Sequence, residues 1–109
     1  MPKFLWQVSY TVQGAAGLRK DGPSARRAFV QKLTEQLGGK LESFYFALGE
    51  ADAYVVADLP DTATAAALSL AVNAAGGAHL KTVTLLTPEE MDAAAKKTVD
   101  YRPPGAIAK

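Results

Sequence analysis

An α+β domain with elements in the order β-α-β-β-α-β, followed by one further helix, is the fold this sequence predicts, and three observations carry it. The stretch Lys3–Val12 alternates strictly, with Phe4, Trp6, Val8 and Tyr10 on one side and Leu5, Gln7, Ser9 and Thr11 on the other. That is the period of a pleated strand. Two later stretches, from Ser24 and from Thr62, have helical spacing and each closes on a glycine pair, Gly38-Gly39 and Gly76-Gly77, the residue type that tolerates the left-handed turn after a helix. Between the second and third strands stand only Gly49-Glu50-Ala51, too short for anything but a hairpin. Right-handed crossovers then place both main helices on one face of a four-stranded antiparallel sheet, the ferredoxin-like arrangement.

Each element has its own local signal. Gln13–Lys20 reads as a loose turn of helix, interrupted at Asp21-Gly22-Pro23. The first main helix is expected to begin at Ser24 as N-cap, with Ala25, Ala28, Phe29, Leu33 and Leu37 as its core-facing stripe. Leu41–Leu48 is the second strand. Strict alternation there puts Leu41, Ser43, Tyr45 and Ala47 on one face and Glu42, Phe44, Phe46 and Leu48 on the other. Ala53–Leu59 is the third strand, and Pro60-Asp61 ends it and caps a helix over Thr62–Ala75. A fourth strand runs from His79 to Leu86. Thr87-Pro88-Glu89-Glu90 then supplies threonine at N-cap, proline at N1 and glutamate at N3, a capping box. Lys96 and Lys97 close that helix favourably for its dipole. Residues 1–100 form a single domain in this reading, and 101–109, with Pro103-Pro104-Gly105, form an extended tail for which wrapping a neighbouring copy and fraying as a chain end are equal expectations.

Composition narrows the function classes. The chain has no cysteine, which removes disulfides and thiolate chemistry, and one histidine, His79, so no multi-histidine metal site can form within one subunit. Neither phosphate-binding glycine pattern occurs, and no cofactor is expected. A net charge of +1 gives no bulk attraction for nucleic acid or membrane. The first residues lack the apolar run of a signal peptide, so a cytoplasmic location is the expectation.

The second main helix is unusually apolar. From Thr62 to Leu80 there is no Asp, Glu, Lys or Arg, whereas a surface helix ordinarily carries charge opposite its core stripe. One sheet face is also uncovered in a lone subunit. Covering about 600 Å² of apolar surface there would release about 15 kcal/mol gross at ~25 cal/mol per Å², before the entropy of association. Alanine as a strong helix former that tolerates exposure is the competing explanation of the helix; a homo-oligomer, dimeric or higher, is the expectation.

Candidate site residues follow from chemistry and placement. His79 and Lys81 share a face of the fourth strand, where His79 could act as acid or base and Lys81 as an anion contact. Tyr45 and Tyr10 could line a pocket for a flat ligand. Asp52, beside Glu50, could divide acid and base duties. Arg26 and Arg27 stand near a helix N-terminus, against the preference of the dipole, and could hold a phosphate or carboxylate. Punctuation of turns, core packing and solvated faces are the plain readings of the same residues. His79, Tyr45 and Asp52 are thus the catalytic candidates. Arg26, Arg27, Lys81 and Tyr10 are the ligand-binding ones.

Several short words of sequence resemble the GYD domain family of small bacterial proteins: Tyr10-Thr11 followed by Gly14, Gly38-Gly39-Lys40, Leu48-Gly49-Glu50-Ala51-Asp52, and Lys81-Thr82-Val83-Thr84. The stretches Leu86–Asp92 and Tyr101–Gly105 resemble one subgroup of it. One position departs from the pattern, since Ala51 stands where the tripeptide that names the family has tyrosine. The resemblance implies a ferredoxin-like fold related to dimeric α/β barrels, a group that includes cofactor-free monooxygenases, isomerases and pure binding modules. The expected function is a homo-oligomeric module that binds or responds to a small molecule. A cofactor-independent monooxygenase or isomerase, and a structural assembly subunit, are the alternatives.

Overall fold

The computed structural model describes residues 1–105; the last part of the expected tail, 106–109, lies outside the described residues. The elements are β1 (Lys3–Tyr10), α1 (Val12–Asp21), α2 (Pro23–Gln36), β2 (Lys40–Phe46), β3 (Ala53–Asp58), α3 (Thr62–Ala75), β4 (Ala78–Leu85) and α4 (Pro88–Ala95). The strands form one four-stranded sheet in the order β2-β3-β1-β4, and every neighbouring pair is antiparallel. This is the expected ferredoxin-like topology.

The aromatic face of β1 is the buried one. Phe4 and Trp6 are almost wholly covered and pack with Val55, Ala57 and Leu59 of the β3 segment and Ala65 and Leu68 of α3. The opposite face is left open. Along it, the register sets Val56, Leu5 and Val83 side by side, and next to them Tyr45, Tyr54, Gln7 and Lys81.

Four local expectations are corrected. The stretch read as a loose turn is a regular ten-residue helix, α1, capped by the Thr11 hydroxyl on Gly14 N–H. Ser24 is not a cap: Gly22 is, with φ of 97°, and Pro23 takes N1. Gly22 ends α1 as well as starting α2, and a side chain is strained at that φ. The core stripe of α2 is also rotated from the expected one. Val30, Leu33 and Leu37 pack on the core and Thr34 is fully buried, while Ala25, Ala28 and Phe29 are exposed. Thr34 can occupy this place because its hydroxyl donates to the Val30 carbonyl at 2.8 Å. Finally, a β-bulge between Leu41 and Ser43 moves Leu41 off the face of Ser43 and Tyr45 and onto the core side with Phe44.

α3 and α4 match their local signals. The Asp61 carboxylate accepts from Thr64 N–H at 2.8 Å and Gly76 terminates α3 in the left-handed region. Thr87 and Glu90 exchange the two hydrogen bonds of the capping box. α4 buries no residue, and Val99 and Tyr101 beyond it are exposed. Together they project from the body: the radius of gyration is 17.9 Å and the long axis 65 Å, where a compact chain of this length has a radius of about 13 Å. Among the described residues no helix is long and apolar enough to cross a membrane.

Candidate functional site

A groove of about 740 Å³ opens on the helix side, between α1, α2 and α3, with the ends of β1 and β4 as its floor. Local chemistry builds its walls. Thr11, just after β1, donates from its hydroxyl to the Gly76 carbonyl at 2.9 Å and from its N–H to the Gly77 carbonyl at 3.2 Å. This ties the start of α1 to the α3–β4 turn. Gly14 lies so close to Gly77 that any Cβ would collide with its carbonyl oxygen. The bend at Gly22 then turns the chain from α1 into α2.

The groove is mainly apolar, with Phe29, Leu33, Leu68, Val72 and Ala75 along its sides. A volume of this size and a lining of this kind suit a small organic ligand. Its polar groups are few. Tyr10, the last residue of β1, and Arg26 of α2 both line it. Burial pushes the Tyr10 hydroxyl above the ordinary tyrosine range, and the neighbouring Arg26 guanidinium offsets part of that rise. Tyr10 is therefore a hydrogen-bond donor at neutral pH. Arg26 also stacks over Phe29, its guanidinium carbon 5.0 Å from the ring centre, a cation–π contact that restricts the side chain. A smaller inner cavity of about 50 Å³ shares Tyr10, Arg26, Leu33, Leu68 and Val72 with the groove and is lined in addition by Trp6. The Trp6 indole N–H is buried and has no acceptor among the described residues.

Two of the expected ligand-binding residues, Tyr10 and Arg26, thus meet. Arg27 is exposed on α2 and Lys81 is on the other side of the sheet. The catalytic candidates do not converge. His79 pairs in register with Ser9 on the β4 edge and is exposed. Tyr45 is on β2 at the opposite edge, three strand spacings or about 14 Å across the sheet. Asp52 is a clamp: its carboxylate accepts from Tyr10 N–H at 2.8 Å and its own N–H donates to the Val8 carbonyl at 2.7 Å, fastening the hairpin to the end of β1. Ala51 beside it is buried. Among the described residues no cluster of three or more His, Asp or Glu side chains could hold a metal ion. Sequence reasoning did not single out Trp6, because a tryptophan on a core-facing strand carries no sign of whether its N–H will find an acceptor.

Fold and groove together define a ferredoxin-like α+β domain with an apolar, cation-bearing pocket on its helix side. The model of the GYD domain matches residues 4–95, most of the chain, and the protein belongs to that family. No curated protein and no solved structure matches it.

Proposed function

We propose that this chain is a small-molecule-binding module that works as a homo-oligomer. The observation that carries the binding half is the groove, a large apolar space with a guanidinium and a tyrosine hydroxyl on its inner surface. All of its lining residues come from one subunit. Binding is favoured over assembly alone because a purely structural helix layer gains nothing from an open space beside a half-buried arginine.

The homo-oligomeric half rests on apolar surface left wet by a single copy. The open sheet face carries Tyr45, Tyr54 and Val83, the outer side of α3 carries Leu70, and Leu86, Met91, Val99 and Tyr101 lie along the projecting arm. Clustered apolar exposure of this kind marks interaction surfaces. The enzymatic alternative, a cofactor-independent monooxygenase or isomerase using His79, Tyr45 and Asp52, draws no support from the geometry, since these groups are spread over two sheet edges and a structural clamp.

Native mass spectrometry of freshly purified protein tests both halves. Multimers, with a small retained mass lost on collisional activation, are the expected result. A monomer at every concentration argues against assembly. The groove reading fails if no apolar compound changes the fluorescence of Trp6, the chain's one tryptophan.

A further inference from the structure

We propose that the ligand is a carboxylate with an apolar body, its head group held where the groove meets the inner cavity, by Arg26, Tyr10 and Trp6. This deepens the binding reading above and rests on it. The polar groups that these three side chains offer are donors. A guanidinium has no acceptor, an indole N–H only donates, and a protonated phenol beside a guanidinium still has its own hydrogen to give. Trp6 is 2% exposed and its N–H is unpartnered among the described residues, so an arriving oxygen would satisfy a donor that they leave unpaired. A cation is disfavoured by Arg26. A neutral alcohol supplies one oxygen and no charge, whereas a carboxylate supplies two oxygens in a plane that matches the guanidinium fork.

The walls set the rest of the molecule. Leu33, Leu68, Val72 and Ala78 surround both spaces, and Phe29 stands over the outer groove, half exposed. The inner cavity, about 50 Å³, has room for a carboxylate but not for a bulky head group. Among the described residues Asp21 is the one carboxylate lining the groove; it is exposed at the end of α1, where solvent screens it.

Decanoate and decanol are suitable probes, because they share a body and differ in the head group. Trp6 lines the inner cavity and gives a single indole N–H resonance, so a nitrogen–proton correlation spectrum reports on changes beside that cavity. Decanoate is expected to move that resonance and to bind about tenfold or more tightly than decanol, the increment of a charge-assisted hydrogen bond. Arg26→Gln should remove most of that advantage by weakening decanoate more than decanol, and Tyr10→Phe should likewise weaken decanoate more than decanol. Arg27→Gln, at the exposed neighbour, should alter neither. Equal binding of the two probes to the unmodified protein, or an unchanged decanoate affinity in both Arg26→Gln and Tyr10→Phe, would overturn the carboxylate assignment with the groove intact. Failure of both probes to bind would overturn the groove reading itself.

Discussion

The Asn73 side chain takes the place of a missing strand beside Leu80. Its carbonyl accepts the Leu80 N–H at 2.7 Å and its amide donates to the Leu80 carbonyl at 3.2 Å. Because β4 is an edge strand, its outward backbone groups have no ladder partner, and an unpaired edge is a site of unwanted pairing. The carboxamide pairs one such residue and ties α3 to β4. Asn73→Ala should lower the unfolding free energy by about 1–2 kcal/mol, the net worth of two exposed hydrogen bonds. Asn73→Asp keeps the acceptor and loses the donor, so it should fall between. Urea melts of the three proteins check the order, and equal midpoints would show that the bonds contribute nothing.

The glycines of α1 make opposite predictions within one helix. A Cβ at Gly14 meets the Gly77 carbonyl, while a Cβ at Gly17 meets nothing. Gly14→Ala should therefore separate α1 from the α3–β4 turn and cost about 3 kcal/mol or more, in the range of overpacked sites. Gly17→Ala should stabilise by about 0.5–1 kcal/mol, through helix propensity and lower entropy of the unfolded chain. Thermal unfolding of the pair distinguishes close packing from a general intolerance of substitution in this helix.

Acid should weaken the protein through its helix caps. The Thr64 hydroxyl and N–H hold the Asp61 carboxyl below the usual carboxylate range, and the Thr87 N–H does the same for Glu90. A carboxyl whose folded pKa is depressed contributes stability that is present above its unfolded value, about 4, and is lost as pH falls through the folded value. Stability should thus decline on acidification below about pH 4. Asp61→Asn keeps a capping oxygen but cannot titrate, so it should leave stability at about pH 7 nearly unchanged and flatten the acid limb. Urea midpoints at about pH 7 and about pH 3 provide the comparison. An unaltered acid limb in Asp61→Asn would assign the loss to other groups.

Much of this architecture is legible in the sequence, because its signals are local. Asp61 and Gly76 bracket α3, the Thr87–Glu90 box starts α4, and the alternation of β1 identifies the buried face. The misreadings have tertiary causes. α1 is rich in small residues and has no buried side chain, so no apolar stripe announces it. Phe29 satisfies a helical spacing yet faces the groove, and a bulge reverses Leu41 without any glycine or proline to signal it. The site is harder still. Tyr10 and Arg26 are separately recognisable as ligand-binding types, but their meeting depends on the fold of α1 and α2 around the end of β1.

The two candidate association surfaces can be told apart by single charges. Leu5 lies at the centre of the open sheet face, between Val56 and Val83 in register, and is half-buried in the lone chain. Leu70 is 73% exposed on the outer side of α3. A lysine at the middle of a buried apolar interface loses its hydration without gaining a partner, a cost of several kcal/mol that a dimer of ordinary affinity cannot absorb. Leu5→Lys should therefore give monomers by sedimentation at concentrations where the unmodified protein is multimeric, if subunits meet through their sheets. Leu70→Lys should do so if they meet through α3. Neither position lines the groove, so binding of a groove ligand should survive in whichever variant is monomeric. Loss of binding together with assembly would instead mean that the groove depends on the partner for its shape, and the single-subunit site would have to be abandoned.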